Sequence, residues 1–212
     1  MNTPNDIVII KYNKEESLKI YKKFKKNCDN GSVKNNDNNK IMLDLTFSNA
    51  PGIIDCKYLQ KMNIYSLNLS YIQQLRNTNI IMDVVQLNIS SSNHLDHMSF
   101  INNDKLKKLT TNSNSKKLNL QKFKNLESLS ISGCNELNDI SNLTKLKELN
   151  IINCKKIKDI GNLREIKILK IDKPVYGFHF LKNLEEITIP SKVIKHQFYV
   201  KLSRTNKKIK II

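Results

Sequence analysis

His94 and His97 flank Asp96. Imidazole nitrogens beside a carboxylate are common ligands of zinc-type ions. The surrounding apolar phase, however, sets Leu95 inward and leaves two histidines facing solvent. His179 and His196 stand alone. The cysteines Cys28, Cys56, Cys134 and Cys154 form no C-x-x-C pair, so a zinc or thiol-redox site has no support. No Gly-rich phosphate loop, nucleophile elbow or paired carboxylates at catalytic spacing occur. The expectation is a protein that is not an enzyme and that needs no metal and no cofactor.

The elements that must position any site follow a period. Phe123-x-x-Leu126-x-x-Leu129-x-Ile131-x-x-Cys134-x-x-Leu137-x-x-Ile140 is one row, and Leu143-x-x-Leu146-x-x-Leu149-x-Ile151-x-x-Cys154-x-x-Ile157-x-x-Ile160 repeats it 20 residues later. Leu163-x-x-Ile166-x-x-Leu169-x-Ile171 opens a third. Inside each row is an apolar pair on alternating positions, which is strand periodicity. The pairs are Leu43/Leu45, Leu67/Leu69, Leu87/Ile89, Leu109/Thr111, Leu129/Ile131, Leu149/Ile151, Leu169/Ile171, Ile187/Ile189 and Ile209/Ile211. Their separations are 24, 20, 22, 20, 20, 20, 18 and 22 residues. One such coil cannot bury its own apolar face, but stacked coils merge their inward columns into one core. The returns between strands are short for a full helix, so turns, 3₁₀ pieces or one-turn helices are expected.

The rows resemble the leucine-rich repeat, whose L-x-x-L-x-L-x-x-N/C-x-L pattern fits Leu146-x-x-Leu149-x-Ile151-x-x-Cys154. Leu137-Asn138-Asp139-Ile140 and Ile157-Lys158-Asp159-Ile160 look like the return of the short repeats in phosphatase-regulator and internalin-type proteins. The resemblance covers about residues 41–190. It implies an α/β fold: a leucine-rich-repeat solenoid with a curved parallel β-sheet on the concave side and turns or 3₁₀ segments on the convex side. It also implies a polar ladder three positions after each pair, here Ser48, Ile72, Ser92, Asn114, Cys134, Cys154, Pro174 and Lys192. Cys134 and Cys154 are then buried neighbours in adjacent coils. They read as two small ladder residues rather than a redox pair, because no His or carboxylate joins them.

Residues 1–40 form an N-terminal cap: a short strand at 7–10, a helix over 14–27 and a polar loop. The helix has Glu15 and Glu16 in its first turn and Lys22, Lys23, Lys25 and Lys26 in its last, which suits its dipole. A basic arm for an acidic partner is the competing reading. Residues 41–190 are the repeats, and 191–212 a C-terminal cap whose lysine-rich end is the last edge strand. No run approaches the ~18 apolar residues of a membrane span, and 1–12 lacks a signal-peptide pattern, so a cytoplasmic, intracellular protein is expected.

Strand alternation turns the middle residue of each pair outward. These residues are Asp44, Asn68, Asn88, Thr110, Ser130, Asn150, Lys170, Thr188 and Lys210. The candidate partner-binding row on the concave face is Asn68, Asn88, Thr110, Ser130, Asn150, Lys170 and Thr188. The net charge is +17, and it is uneven: residues 41–100 carry −1, 101–160 carry +6 and 161–212 carry +8. Two function classes follow. One is a non-enzymatic protein–protein interaction scaffold holding another protein, possibly an acidic one, on the concave face. The other is an electrostatic binder of nucleic acid or another polyanion through the basic C-terminal half. A regulatory subunit that positions an enzyme is a third reading, by analogy with the relatives. Neither the partner's identity nor the oligomeric state is legible.

Overall fold

The computed structural model describes residues 9–30, 40–46, 53–72, 74–92, 98, 101–102, 104–112, 118–177, 180–191 and 208–211. The chain divides into two compact units, Met1–Leu106 and Lys107–Ile212. Each is a stretch of parallel β-solenoid.

In the first unit, β1 (Ile9–Lys11), β2 (Lys40–Asp44), β4 (Ile64–Asn68) and β6 (Gln86–Asn88) pair in that order, all parallel. Helix α1 (Lys14–Asp29) lies in the crossover from β1 to β2. It therefore occupies the return of a coil. Its start is set by a capping box, in which Asn13 accepts from the Glu16 amide and Glu16 reaches back to the Asn13 amide. Buried Ser17 accepts the Asp44 amide at 3.0 Å, and the Tyr21 hydroxyl accepts the Asp55 amide at 3.0 Å. Those two bonds tie the helix to β2 and to the next return.

The returns of this unit hold an expected one-turn helix and also strands, which the expectation of turns, 3₁₀ pieces or one-turn helices did not include. β3 (Ile53–Asp55) and β5 (Gln74–Arg76) form a second parallel sheet, and a four-residue helix α2 (Cys56–Leu59) follows β3. The spacing of 24 residues from Leu43 to Leu67 gives this return the extra length.

The second unit is more regular. β7 (Lys108–Thr111), β8 (Ser128–Ser132), β9 (Glu148–Ile152), β10 (Ile168–Ile171), β11 (Glu186–Ile189) and β12 (Lys208–Ile211) pair in chain order, all parallel. Leu109, Leu129, Leu149, Leu169, Ile187 and Ile209 stand directly opposite one another. The first five of these side chains are buried, as are Thr111, Ile131, Ile151, Ile171 and Ile189. These two columns form the core against the sheet.

The returns are built from hydrogen-bonded turns that begin and end on apolar residues. The Phe123 amide donates to the Leu120 carbonyl and the Leu126 amide to that of Phe123. Leu143 and Leu146 repeat this with Ile140 and Leu143, and Leu163 and Ile166 with Ile160 and Leu163. The L-x-x-L spacing is thus a four-residue turn: its ends bury, and its two central residues face out. All the turn ends named are buried. Leaving the strand, the chain bends through the left-handed region at equivalent places, Tyr71, Ser91, Gly133 and Asn153.

Candidate functional site

The proposed outward row falls into two columns, one per unit. In the first unit Asn68 pairs with Asn88 and Asp44 with Asn68. In the second, Thr110, Ser130, Asn150, Lys170 and Thr188 stand in register. Lys170 is exposed and the others are half-buried.

The same residue type does different work in the two columns. Asn68 Oδ1 accepts from the Ser70 amide at 3.0 Å and the Ser70 hydroxyl at 2.6 Å. Asn88 Oδ1 does the same with Ser90, at 3.0 and 2.8 Å. Asp44 repeats the motif with Thr46. These are Asx-type locks that hold the bend after the strand. Asn150 is followed at the same offset by Ile152, which has no hydroxyl. Its Nδ2 donates instead to Ser130 Oγ at 3.0 Å, and its Oδ1 is buried without a donor. Beside it, past β10, Asp172 Oδ2 accepts the Asn153 amide at 2.7 Å, while Asp172 Oδ1 is likewise buried without a donor. The signal that separates Asn150 from Asn68 and Asn88 is therefore visible in sequence, two residues downstream.

The ladder after the strand has two forms. Ser92 Oγ accepts the Ile72 amide at 3.0 Å and donates to the Leu69 carbonyl at 2.7 Å, so one hydroxyl serves two backbone groups of the neighbouring coil. Cys134 and Cys154 are both buried and unbridged. The Cys134 thiol reaches the Ser132 carbonyl at 3.6 Å, and the Cys154 thiol the Ile152 carbonyl at 3.3 Å. The neighbouring Cys154 thiol and burial together push the Cys134 pKa up, so Cys134 stays a thiol. Pro174 in the same series is exposed. Ser48, Asn114 and Lys192 lie outside the described residues.

His94, Asp96, His97, His179 and His196 also lie outside the described residues. Among the described residues, no group of three or more His, Cys, Asp and Glu side chains could hold a metal ion. No described helix is long and apolar enough to cross a membrane. The first unit has a half-open cleft of about 400 Å³ lined by Leu59, Lys61, Met62, Ile81, Met82 and Asp83 among others. Asp83 there accepts from Asn102 Nδ2 at 2.7 Å.

The charge is concentrated in one unit. Met1–Leu106 has 13 basic and 10 acidic residues, net +3; Lys107–Ile212 has 23 and 9, net +14. Little of the surplus is on the sheet. By register the described charges of the second unit's outward rows are Lys108, Lys170, Lys208 and Lys210 against Glu148, Glu186 and Asp172. Just before the strands, Glu127 bridges Lys107 and Lys147, both at 2.7 Å, and Lys167 pairs with Glu185 at 2.8 Å. The two lysines pull the Glu127 carboxyl down to about 2.

No known protein family matches the chain, and no curated protein is similar to it.

Proposed function

We propose that the chain is a non-enzymatic scaffold of leucine-rich repeats, with α1 shielding its first coils, and that a protein partner docks on the outward sheet face of the second unit. The observation that carries this is the pair of buried acceptors, Asn150 Oδ1 and Asp172 Oδ1, on neighbouring coils. Leaving a buried acceptor unpaired costs roughly 1–3 kcal/mol, and folded chains rarely tolerate it without a use. Both atoms are closed to solvent, so a partner's N–H or O–H donors would satisfy them as the side chains over them, Lys170 among them, move aside. The first unit's column supports the contrast, since Asn68 and Asn88 spend their carbonyl oxygens on their own bends.

The test is a nuclease-treated pull-down from native lysate at low and moderate salt. Wild type is compared with Ser130→Arg, which fills the face without touching the core, and with Lys158→Glu, which changes charge on the far side of the coil. The expected result is a single protein retained at both salts, lost with Ser130→Arg and kept with Lys158→Glu. Capture only of nucleic-acid-associated proteins that wash off with salt, indifferent to Ser130→Arg, contradicts the reading.

A further inference from the structure

The four described turns that precede β8, β9, β10 and β11 each carry a cation. Their central residues are Lys124-Asn125, Thr144-Lys145, Arg164-Glu165 and Lys182-Asn183, closed by the amides of Leu126, Leu146, Ile166 and Leu184. The four turns are equivalent in register, each ending a fixed distance before its strand. Two contacts confirm that neighbours touch: Lys145 Nζ donates to Asn125 Oδ1 at 2.6 Å, and Asn183 Nδ2 to the Arg164 carbonyl at 3.3 Å. Lys124, Lys145, Arg164 and Lys182 are all exposed, and none forms an ion pair among the described residues. Successive coils are spaced roughly 5 Å apart, so the row is a line of positive charge across the coils. Glu165 is the one carboxylate at these central positions.

The opposite rim, after the strands, has a smaller surplus. There Lys155, Lys156, Lys158 and Lys173 stand against Glu136, Asp139 and Asp159, a net of one cation against three on the first rim, with Lys156 bonded to Glu136 at 2.8 Å. The surplus is therefore concentrated on the first rim.

An exposed aromatic ring sits at one end of it. Phe180 is 45% exposed. The Arg164 guanidinium lies 5.9 Å from the Phe180 ring centre. Gly161 holds the ring close: a Cβ added there would come 3.0 Å from Phe180 Cδ2. Exposed rings beside cations are costly surface for a solvated return, but they are what bases stack on when phosphates track a basic groove. An acidic peptide would use the cations and leave the ring unused.

We propose that this rim binds single-stranded nucleic acid. Lys124, Lys145, Arg164 and Lys182 neutralise successive phosphates, and Phe180 stacks a base. This surface is separate from the outward sheet row, and each proposal stands without the other. It also relocates the electrostatic reading of the sequence, from the basic half as a whole to one rim.

The test is fluorescence anisotropy of a labelled oligouridylate against salt, using the full chain. Arg164→Ala and Lys182→Ala are each expected to reduce the slope of log affinity against log salt by about 0.7. Phe180→Leu, which keeps an apolar side chain over Gly161, is expected to weaken binding roughly tenfold with the slope unchanged. Circular dichroism confirms that each variant keeps the wild-type fold, and all are surface changes. Three results would overturn the proposal. One is no binding by wild type. Another is a slope reduced as much by Lys155→Ala and Lys158→Ala as by the rim variants. The third is poly-glutamate competing as well as unlabelled oligouridylate while Phe180→Leu is neutral, which would make the partner an acidic protein.

Discussion

At the scale of single residues, backbone geometry decides which letters are replaceable. Gly133 and Gly177 both sit at positive φ, +68° and +83°. They differ in what surrounds them. A Cβ at Gly133 meets nothing within 4 Å, whereas one at Gly177 would come 2.2 Å from the Gly161 nitrogen. Gly133→Ala is expected to cost about 1 kcal/mol, the left-handed penalty alone. Gly177→Ala should cost several times that, because two backbones would have to part; urea midpoints of the two variants measure the difference. Equal losses would mean that the approach of Gly177 to Gly161 does not matter. Residue roles were partly legible. Asn-x-Ser against Asn150-x-Ile152 distinguishes a locked amide from an unlocked one by the hydroxyl two positions on. The fate of Asp172 was not legible, because its free oxygen depends on where the Asn153 amide of the previous coil points.

At the scale of elements, strand phase was readable because side chains alternate and a one-residue slip would expose every inward Leu and Ile. The in-register columns at Leu109, Leu129, Leu149 and Leu169 are those that the apolar pairs select. The second sheet of β3 and β5 was not readable. Three-residue strands carry too little alternation, and β3 exposes Ile53 while burying Ile54. The membership of β1 was missed for a related reason: a strand joined to the sheet through a helical return falls outside the 20-residue period. The ion ladder before β7, β8 and β9 gives an element-scale prediction. Lys107 and Lys147 lower the Glu127 pKa from 4.5 to about 2. A depressed carboxyl pKa contributes stability that is present above the unfolded value and lost as pH falls towards the folded one. Glu127→Gln should therefore destabilise at neutral pH by no more than about 1 kcal/mol, since the pair is solvent-screened. The deficit should shrink between the two pKa values in a pH series of urea melts, and also at high salt. A deficit that persists unchanged at pH about 2 would contradict an electrostatic origin.

At the scale of the molecule, each unit solves the same problem of a coil too thin to have its own core. The two differ in charge, +3 against +14. Sequence alone located that surplus in the C-terminal half. It could not assign it to a face, because the positions before, within and after each strand become rims and rows only once the coils stack. Stacking leaves the second unit's outward row mixed in sign and polar, with two unanswered acceptors, and sends the unpaired cations to a turn rim. The central claim is that the outward row of the second unit holds the protein partner. Its most direct test is a photo-cross-linking amino acid placed at Ser130, and separately at Lys158, in nuclease-treated native lysate. The account predicts a discrete protein adduct from position 130 that is absent from position 158. A discrete adduct from 158 and none from 130 would contradict it.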